Sequence, residues 1–190
     1  MSRKLQPGSV VVGRDLATVG GEPVGVPDAG RLIHLQFRRF AGCPICNLHL
    51  RTVVLRHAEI EAAGVREVVV FHSTAAELAE YDLPFAVVAD PDKKLYAEFG
   101  VEASRRAVLA PGVWWPLLVG SVRTTWRVLR RKDRPPALKV NGGRLGLPAD
   151  FLIAPDGEVV AAKYGEHAYD QWSVDEILDL AADNDLAPRL

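Results

Sequence analysis

Hydrophobic residues along the chain fall in short blocks that alternate between the period of a β-strand and the period of an α-helix. Residues 31–37 alternate polar and apolar side chains after a turn at Gly20 and Gly21, which predicts a leading hairpin and then a core strand. Residues 44–63 carry apolar side chains at helical spacing, with a proline in the first turn and Gly64 after the last, and predict one helix. A strand therefore leads directly into a helix.

The rest of the chain continues this alternation. Turn residues, helix-capping residues and apolar runs predict, in order, strand 67–71, helix 75–81, strand 85–88, helix 90–99, strands 151–153 and 158–162, and a C-terminal helix capped by Ser173. Alternation of this kind is typical of an α/β sheet covered by helices on both faces.

One basic segment departs from the pattern. Residues 103–132 contain seven basic residues and no acidic one, and apolar side chains from Trp115 to Leu129 recur at helical spacing. We predict a single domain over residues 1–190, with a basic, Trp-rich helical insertion at 102–144 that is too short to hold its own core. Its apolar face is expected to pack on the domain or on a partner subunit. A membrane-surface helix, a nucleic-acid groove and a lid over the site remain alternatives.

The composition is that of a folded protein, with 48% hydrophobic and 25% charged residues. A formal net charge of −1 provides no global field that would attract nucleic acid or anionic lipid, so no nucleic-acid partner is expected. The only apolar run near the N-terminus is Val10 to Val12, too short for a secretion signal or a membrane span. We therefore expect a cytoplasmic protein without a stable membrane anchor.

The candidate chemistry lies in the two cysteines, Cys43 and Cys46, at the predicted junction of strand and helix. A thiol is nucleophilic only as thiolate, and the first turn of a helix favours that anion. The spacing also brings the second sulfur close enough to form a disulfide that a third thiol can open. Arg38 and Arg39 precede the pair and would favour the thiolate if they face it. The pair is predicted to be redox-active.

Two other interpretations of the pair stay open. The cysteines could be a buried, inert pair, or they could be half of a zinc site. Zinc normally takes four ligands, and no second CxxC or paired-histidine motif supplies the others, since His49 would be only a third. We predict no metal and no other cofactor.

Residues 35–46, 90–101 and 146–157 form three segments that together resemble the thioredoxin superfamily, and especially its peroxiredoxin-like branch. Residues 35–46 resemble the strand that leads into the CxxC helix, residues 90–101 the segment after the third core strand, and residues 146–157 the segment with the cis-proline and closing hairpin. The resemblance implies a thioredoxin-like fold with a central mixed sheet, helices on both faces and a helical insertion before the cis-proline strand. It also implies that Pro148 is a cis-proline facing the cysteine pair.

The resemblance assigns roles to particular residues. Cys43 and Cys46 would be catalytic, and Pro148, Pro44 and Arg39 would position the substrate. Typical peroxiredoxins carry a proline, a hydroxyl residue and a later arginine around the peroxidatic cysteine, which aligns with Cys46. Here Arg39 replaces the proline, Cys43 replaces the hydroxyl residue, and Pro148 stands near the position of the arginine. These departures favour thiol-disulfide exchange, with the more exposed Cys43 attacking and Cys46 resolving.

Two alternative functions remain. The protein could be a thiol peroxidase in which Cys46 attacks peroxide and Cys43 resolves, or a non-catalytic, redox-sensing binding module. The expected partners are a protein or small-molecule disulfide, or a peroxide, together with a thiol reductant. A homodimer is left open.

We do not expect the histidines to be the main reactive groups. His34 and His72 are expected to be structural residues with satisfied hydrogen bonds, and His49 and His57 are expected on helix surfaces. His167 is a weaker candidate as a proton carrier, because histidine titrates near neutral pH.

Overall fold

The computed structural model of the chain describes residues 4–79, 81–101, 118, 122 and 146–184. The strands in this part of the chain are β1 (Arg14–Leu16), β2 (Val24–Val26), β3 (Leu32–Arg38), β4 (Val65–Phe71), β5 (Ala86–Ala89), β6 (Ala149–Ile153) and β7 (Val159–Tyr164). The helices are α1 (Pro44–Leu55), α2 (His57–Ala62), α3 (Ala75–Leu78), α4 (Lys94–Glu98) and α5 (Val174–Asp183). The predicted alternation of strands and helices is confirmed.

The central sheet has the strand order β5-β4-β3-β6-β7. β3, β4 and β5 are parallel, whereas β6 runs antiparallel to β3 and β7 antiparallel to β6. β1 and β2 form a separate antiparallel hairpin, as the turn at Gly20 and Gly21 predicted. The sheet is therefore mixed, and β3, which leads into the cysteine pair, lies at its centre.

The two faces of the sheet bury different elements. On one face, Ile33, Leu35 and Phe37 of β3 share a hydrophobic cluster with Tyr96 and Phe99 from the α4 region, and the β1–β2 hairpin joins the same cluster. On the other face, Leu32 packs with residues of α1, α2 and α5. Because strand side chains alternate between faces, the polar residues of β3 point towards α1 and α5.

The single helix predicted over 44–63 is wrong in one respect, because it breaks at Arg56 into α1 and α2. Arg56 has φ −114° and ψ 17°, and it follows the β-branched residues Thr52, Val53 and Val54, which lose side-chain freedom in a helix. Gly64 ends the second helix with a φ of 73°, as its conformational freedom allows.

The predicted insertion at 102–144 lies outside the described residues, with the exception of Leu118 and Val122. These two residues are helical and are 56% and 60% exposed. A helix long and apolar enough to cross a membrane is not found among the described residues.

Candidate functional site

The cysteine pair lies at the N-terminus of α1, which a short loop connects to the end of β3. Gly42 in this loop has a φ of 79°, a conformation that favours glycine. Cys43 is the N-cap of α1, and its Sγ accepts a hydrogen bond from the backbone N–H of Cys46 at 3.5 Å. Pro44 follows in the first turn, where its missing N–H costs no helical hydrogen bond. The sequence therefore places the start of α1 directly after Cys43.

The two sulfurs are in direct contact as free thiols. The Cys46 Sγ donates to the Cys43 Sγ across 2.9 Å. A disulfide bond is about 2.05 Å long, so a small movement joins the two atoms.

The surroundings push the pKa values of the two thiols in opposite directions. Burial alone would raise the pKa of Cys43, but the hydrogen bond from Cys46, the charge of Arg39 and the N–H groups at the start of α1 outweigh it and lower the pKa to about 7. For Cys46, burial, the hydrogen bond it donates and the negative charge on Cys43 raise the pKa well above its usual range. Cys43 is thus the thiolate of the pair and Cys46 its proton donor.

The neighbouring residues Arg38 and Arg39 contact different parts of the protein. Arg39 is 4% exposed and directs Nη1 at the Cys43 Sγ at 3.8 Å, with its guanidinium 5.4 Å from the centre of the Phe40 ring. Arg38 lies on the opposite side of the backbone and binds Gln36 and Asp150 instead. Only Arg39 therefore acts on the thiol through a direct contact.

Exposure hardly separates the two thiols, since Cys43, expected to be the more exposed, is 1% exposed and Cys46 is 0% exposed. Both cysteines are buried, in a small apolar cluster with Phe40, Ile45 and Ala168. Ala168 belongs to the loop between β7 and α5, which packs onto the pair, and sequence spacing does not reveal this contact. The two thiols are therefore distinguished by pKa and not by exposure.

The loop before Cys43 is held by side chains from the segment after β4. Ser73 Oγ accepts a hydrogen bond from Ala41 N–H at 3.0 Å, and the Tyr81 hydroxyl accepts one from Gly42 N–H at 2.5 Å. The same hydroxyl donates to Asn47 Oδ1 at 3.0 Å. These positioning residues were not predicted, because hydroxyl and amide side chains far apart in sequence carry no local signal of their contact.

The prediction of a cis peptide bond before Pro148 is also wrong. Among the described residues the cis bond is Val26–Pro27. The Pro148 carbonyl accepts a hydrogen bond from Gly165 N–H at 2.9 Å, and a Cβ on Gly165 would lie 2.8 Å from Pro148 Cγ. Pro148 therefore packs closely beneath the loop that carries Ala168, directly before β6, where a trans proline fits because no ladder hydrogen bond is lost.

A cluster of buried polar side chains lies on the sheet beneath α1. His34 places Nδ1 at 2.8 Å from Glu67 and Nε2 at 3.2 Å from Asp150, and Arg38 donates to the same Asp150 carboxylate at 2.7 Å. Gln36 donates to Glu67 and accepts from Arg38 at 2.6 Å. We call these five residues the buried charge cluster. His34 is confirmed as a structural histidine with satisfied hydrogen bonds.

The protonation states of the cluster follow from its contacts. Burial would lower the pKa of His34, but the two carboxylates outweigh this and raise it to about 9. Burial would raise the pKa of Asp150, but Arg38 and His34 hold it well below its usual range. Two cations thus face two carboxylates, and the cluster is neutral overall.

His49 was expected on a helix surface, and this is wrong. The residue is 6% exposed, because the α1 face that carries Cys46 also carries His49 and packs against the sheet. Its Nε2 lies 2.7 Å from the Trp172 carbonyl oxygen. The His57 ring makes an edge contact with the Phe85 ring, with the ring centres 5.5 Å apart.

The other two histidines considered in the sequence, His72 and His167, lie in different surroundings. His72 is buried, with its ring 5.7 Å from that of Tyr96. His167 is half-buried beside Ala168 and accepts a hydrogen bond from Tyr169 N–H at 3.3 Å. A group of three or more histidine, cysteine or carboxylate side chains that could hold a metal ion is not found in the described part of the chain.

Comparison with known proteins adds a family and a fold. The family model of the AhpC/TSA antioxidant enzymes matches residues 53–167, which is more than half of the chain and begins after the cysteine pair. No curated protein gives a significant match.

Solved structures match the fold over almost the whole chain. Peroxidoxin BcpB from Mycobacterium tuberculosis is 15% identical, with a TM-score of 0.64 and coverage of 94% of this chain and 97% of its own. A protein described as thiol:disulfide interchange protein DsbE from Chlorobium tepidum is 18% identical, with a TM-score of 0.58 and coverage of 94% and 99%. Peroxiredoxin Q from Xanthomonas campestris is 16% identical, with a TM-score of 0.59 and coverage of 96% of both chains.

These similarities agree with the mixed sheet and flanking helices, and they confirm the thioredoxin-like fold that the sequence predicted. The family match extends the agreement from fold to chemical class, a thiol oxidoreductase or peroxidase. The chain therefore belongs to the AhpC/TSA antioxidant enzyme family.

Proposed function

We propose that the protein is a thiol-disulfide oxidoreductase in which Cys43 attacks the substrate and Cys46 resolves the product. The proposal is carried by the contrast between two thiols that lie 2.9 Å apart. The pKa of Cys43 is lowered to about 7, whereas the pKa of Cys46 is raised well above its usual range. At neutral pH one thiol is a nucleophile and the other remains protonated beside it.

The reaction proceeds in two exchanges. The Cys43 thiolate attacks a substrate disulfide, forms a mixed disulfide and releases the first thiolate of the substrate. Cys46 then loses its proton and attacks the Cys43 sulfur, which forms the Cys43–Cys46 disulfide and releases the second thiolate. The substrate disulfide is reduced and the cysteine pair is oxidised. A thiol reductant restores the dithiol by the same steps in reverse.

The neighbouring residues have distinct roles in this proposal. Arg39 stabilises the Cys43 thiolate and also provides a positive charge beside the incoming substrate. Pro44 allows α1 to begin at Cys43. Pro148 positions the loop of Ala168 over the pair, through the hydrogen bond from Gly165. Because the bond before Pro148 is not cis, we do not assign Pro148 the binding of substrate backbone that a cis-proline would have.

Peroxide reduction is the second candidate, and the AhpC/TSA family match favours it. The pKa order makes Cys43 the thiolate that meets peroxide, in place of the Cys46 attack that the family alignment implied. Attack on the O–O bond gives a sulfenic acid on Cys43 and releases an alcohol or water. Cys46 then condenses with the sulfenic acid, which yields the same disulfide and one water.

The two candidates differ in the oxidant that the reduced protein prefers. We expect a small disulfide to oxidise the protein through Cys43, with an alkylation rate at Cys43 that rises with pH around a midpoint of about 7. Hydrogen peroxide is expected to react no faster than with a simple thiolate. Both reactions are followed by tryptophan fluorescence, because Trp172 is buried beside the cluster below α1.

Single-serine variants provide the matched controls. Cys46→Ser should accumulate a mixed disulfide at Cys43, and Cys43→Ser should react slowly with both oxidants. Peroxide oxidation much faster than that of a simple thiolate would favour the peroxidase. A reactive Cys43→Ser variant beside an inert Cys46→Ser variant would reverse the assigned roles.

A further inference from the structure

The second exchange needs a group that accepts the Cys46 proton, and the cysteine pair does not contain one. Cys46 must lose its proton before it attacks, yet it is fully buried and has only the Cys43 sulfur as a described side-chain partner. Once Cys43 is bound in a mixed disulfide, it carries no negative charge and is no longer a proton acceptor. A second buried acceptor is therefore needed close to Cys46.

His49 lies in the right place on α1. It follows Cys46 by three residues, so the two side chains share one helix face, with Cβ atoms roughly 5–6 Å apart. Helix side chains also tilt towards the N-terminus, which directs the His49 ring towards the turn of Cys46. Both residues are buried on this face.

The contacts of His49 determine which nitrogen can accept a proton. Nε2 faces the Trp172 carbonyl oxygen at 2.7 Å, and because a carbonyl only accepts, Nε2 must carry the hydrogen. The lone pair of the neutral ring is then on Nδ1. This atom is buried and has no hydrogen-bond partner among the described residues. An unpaired buried acceptor is costly and is uncommon unless it serves a purpose.

The other ionisable groups near this position are poor acceptors. Asp150 is already bound to Arg38 and His34, and Glu67 is bound to His34 and Gln36. His72 is a second buried histidine in this region, but its ring packs against Phe40 and Tyr96 and it lies on a different element. His49 is the histidine that shares the buried face of α1 with Cys46.

We propose that Nδ1 of His49 accepts the proton of Cys46 as that thiol attacks the mixed disulfide at Cys43. In this step the Cys46 S–H bond breaks and the Nδ1–H bond forms through one bridging water, since Nδ1 makes no direct hydrogen bond to Cys46 in the resting pair. The Cys46–Cys43 bond forms, and the bond from Cys43 to the substrate sulfur breaks. The departing thiolate then takes the proton. The inference rests on the proposed function, since it concerns the second exchange of that cycle.

The charges around His49 keep its ring neutral at rest and make it a weak base, so it holds the proton only while Cys46 attacks. Burial and the cations Arg38 and His34 lower its pKa to about 4, against the opposing effects of Asp150 and of the Trp172 carbonyl. The lone pair is therefore free throughout the neutral range. Protonation is brief and coupled to the loss of the Cys46 proton.

Dipyridyl disulfide separates the two exchanges, because each releases one equivalent of thiopyridone. The first release reports attack by Cys43 and the second reports attack by Cys46 on the mixed disulfide. We expect His49→Gln to leave the first phase unchanged and to slow the second by about 100-fold, the usual effect of losing a general base. Glutamine keeps an N–H for the Trp172 carbonyl but cannot hold the proton.

The pH profile of the unaltered protein supplies a second readout that does not depend on a variant folding. With His49 as the acceptor, the second-phase rate should be constant from about pH 6 to 8, between the pKa of His49 at about 4 and that of His34 at about 9. With solvent hydroxide as the acceptor, it should rise roughly tenfold per pH unit.

Controls make each outcome decisive. Cys46→Ser should release only one equivalent, which assigns the second phase, and His57→Gln on α2 should change neither phase. A second phase in His49→Gln within about threefold of the unaltered protein, or equal slowing of both phases, would overturn the role of His49. If the unaltered protein releases only one equivalent, the proposed function itself is wrong and this step is wrong with it.

Discussion

Arg38 and Arg39 are adjacent in sequence and both are buried, yet they belong to two regions with opposite properties. Arg38 points to the α1 side of the sheet and donates to Asp150 at 2.7 Å within the buried charge cluster. Arg39 directly follows the last residue of that strand and donates to the Cys43 sulfur at 3.8 Å. Two consecutive arginines therefore have entirely different partners.

The difference lies in the partner. A carboxylate paired with a buried cation stays ionised at every neutral pH, so removing one partner of the pair destabilises the fold, and the pair itself is not reactive. A thiol near a cation is a weak acid whose pKa can be moved into the neutral range, and Arg39 contributes to lowering the pKa of Cys43 to about 7. The same residue type thus neutralises a buried carboxylate in one region and lowers the pKa of a thiol in the other.

The largest effect is expected from Asp150→Asn, which removes a carboxylate from the buried charge cluster. Arg38 and His34 would keep their charges in a buried site, so the free energy of unfolding should fall by about 3 kcal/mol or more. Urea denaturation measures the loss. The matched control is Asp175→Asn, whose 78% exposed side chain binds Arg56 and should matter by less than about 1 kcal/mol. Similar losses in the two variants would contradict the comparison.

The two regions should also respond to pH with opposite signs. The pKa of His34 is raised to about 9, so its stabilising effect is complete below about pH 6.5 and is lost as the pH rises through 9. The pKa of Cys43 is lowered to about 7, so its effect is absent below pH 7 and grows as the pH rises towards 9. In Cys43→Ser the free energy of unfolding should fall by on the order of 3 kcal/mol between pH 6.5 and 9.

The reduced, unaltered protein should lose less stability over the same range, because its Cys43 compensates in part. Urea denaturation at several pH values measures both proteins. A Cys43→Ser variant with constant stability across this range would show that His34 is not held as a cation.

A smaller effect is expected from Arg39→Met, which removes the charge beside Cys43 and keeps much of the side-chain volume. The Cys43 pKa should rise from about 7 towards the value of an ordinary thiol, and alkylation at pH 7 should slow roughly tenfold. The ultraviolet absorbance of the thiolate reports the titration. Arg39→Lys should retain most of the effect, and Arg51→Met, on the exposed face of α1, should show none. If the Cys43 pKa is the same in Arg39→Met as in the unaltered protein, Arg39 does not lower it.

Much of this protein could be predicted from local sequence signals. Apolar periodicity, turn glycines and the capping pair Ser173 and Glu176 predicted the strands, the hairpins and the C-terminal helix, because these features depend on interactions between near neighbours. The position of Cys43 at the start of a helix followed from Pro44 and the CxxC spacing. The break at Arg56 was missed, since one helical pattern runs through both α1 and α2.

The sequence by itself determined the order of elements, the thioredoxin-like class and the cysteine pair. Only the tertiary structure decided that both thiols are buried, that Arg39 and not Arg38 faces Cys43, and that the bond before Pro148 is trans. It also decided that the polar positions of β3 meet Glu67 and Asp150 and not solvent, and that His49 lies on the buried face of α1. These outcomes depend on contacts between residues distant in sequence, and a pattern of near neighbours cannot distinguish a polar residue facing water from one facing a buried partner.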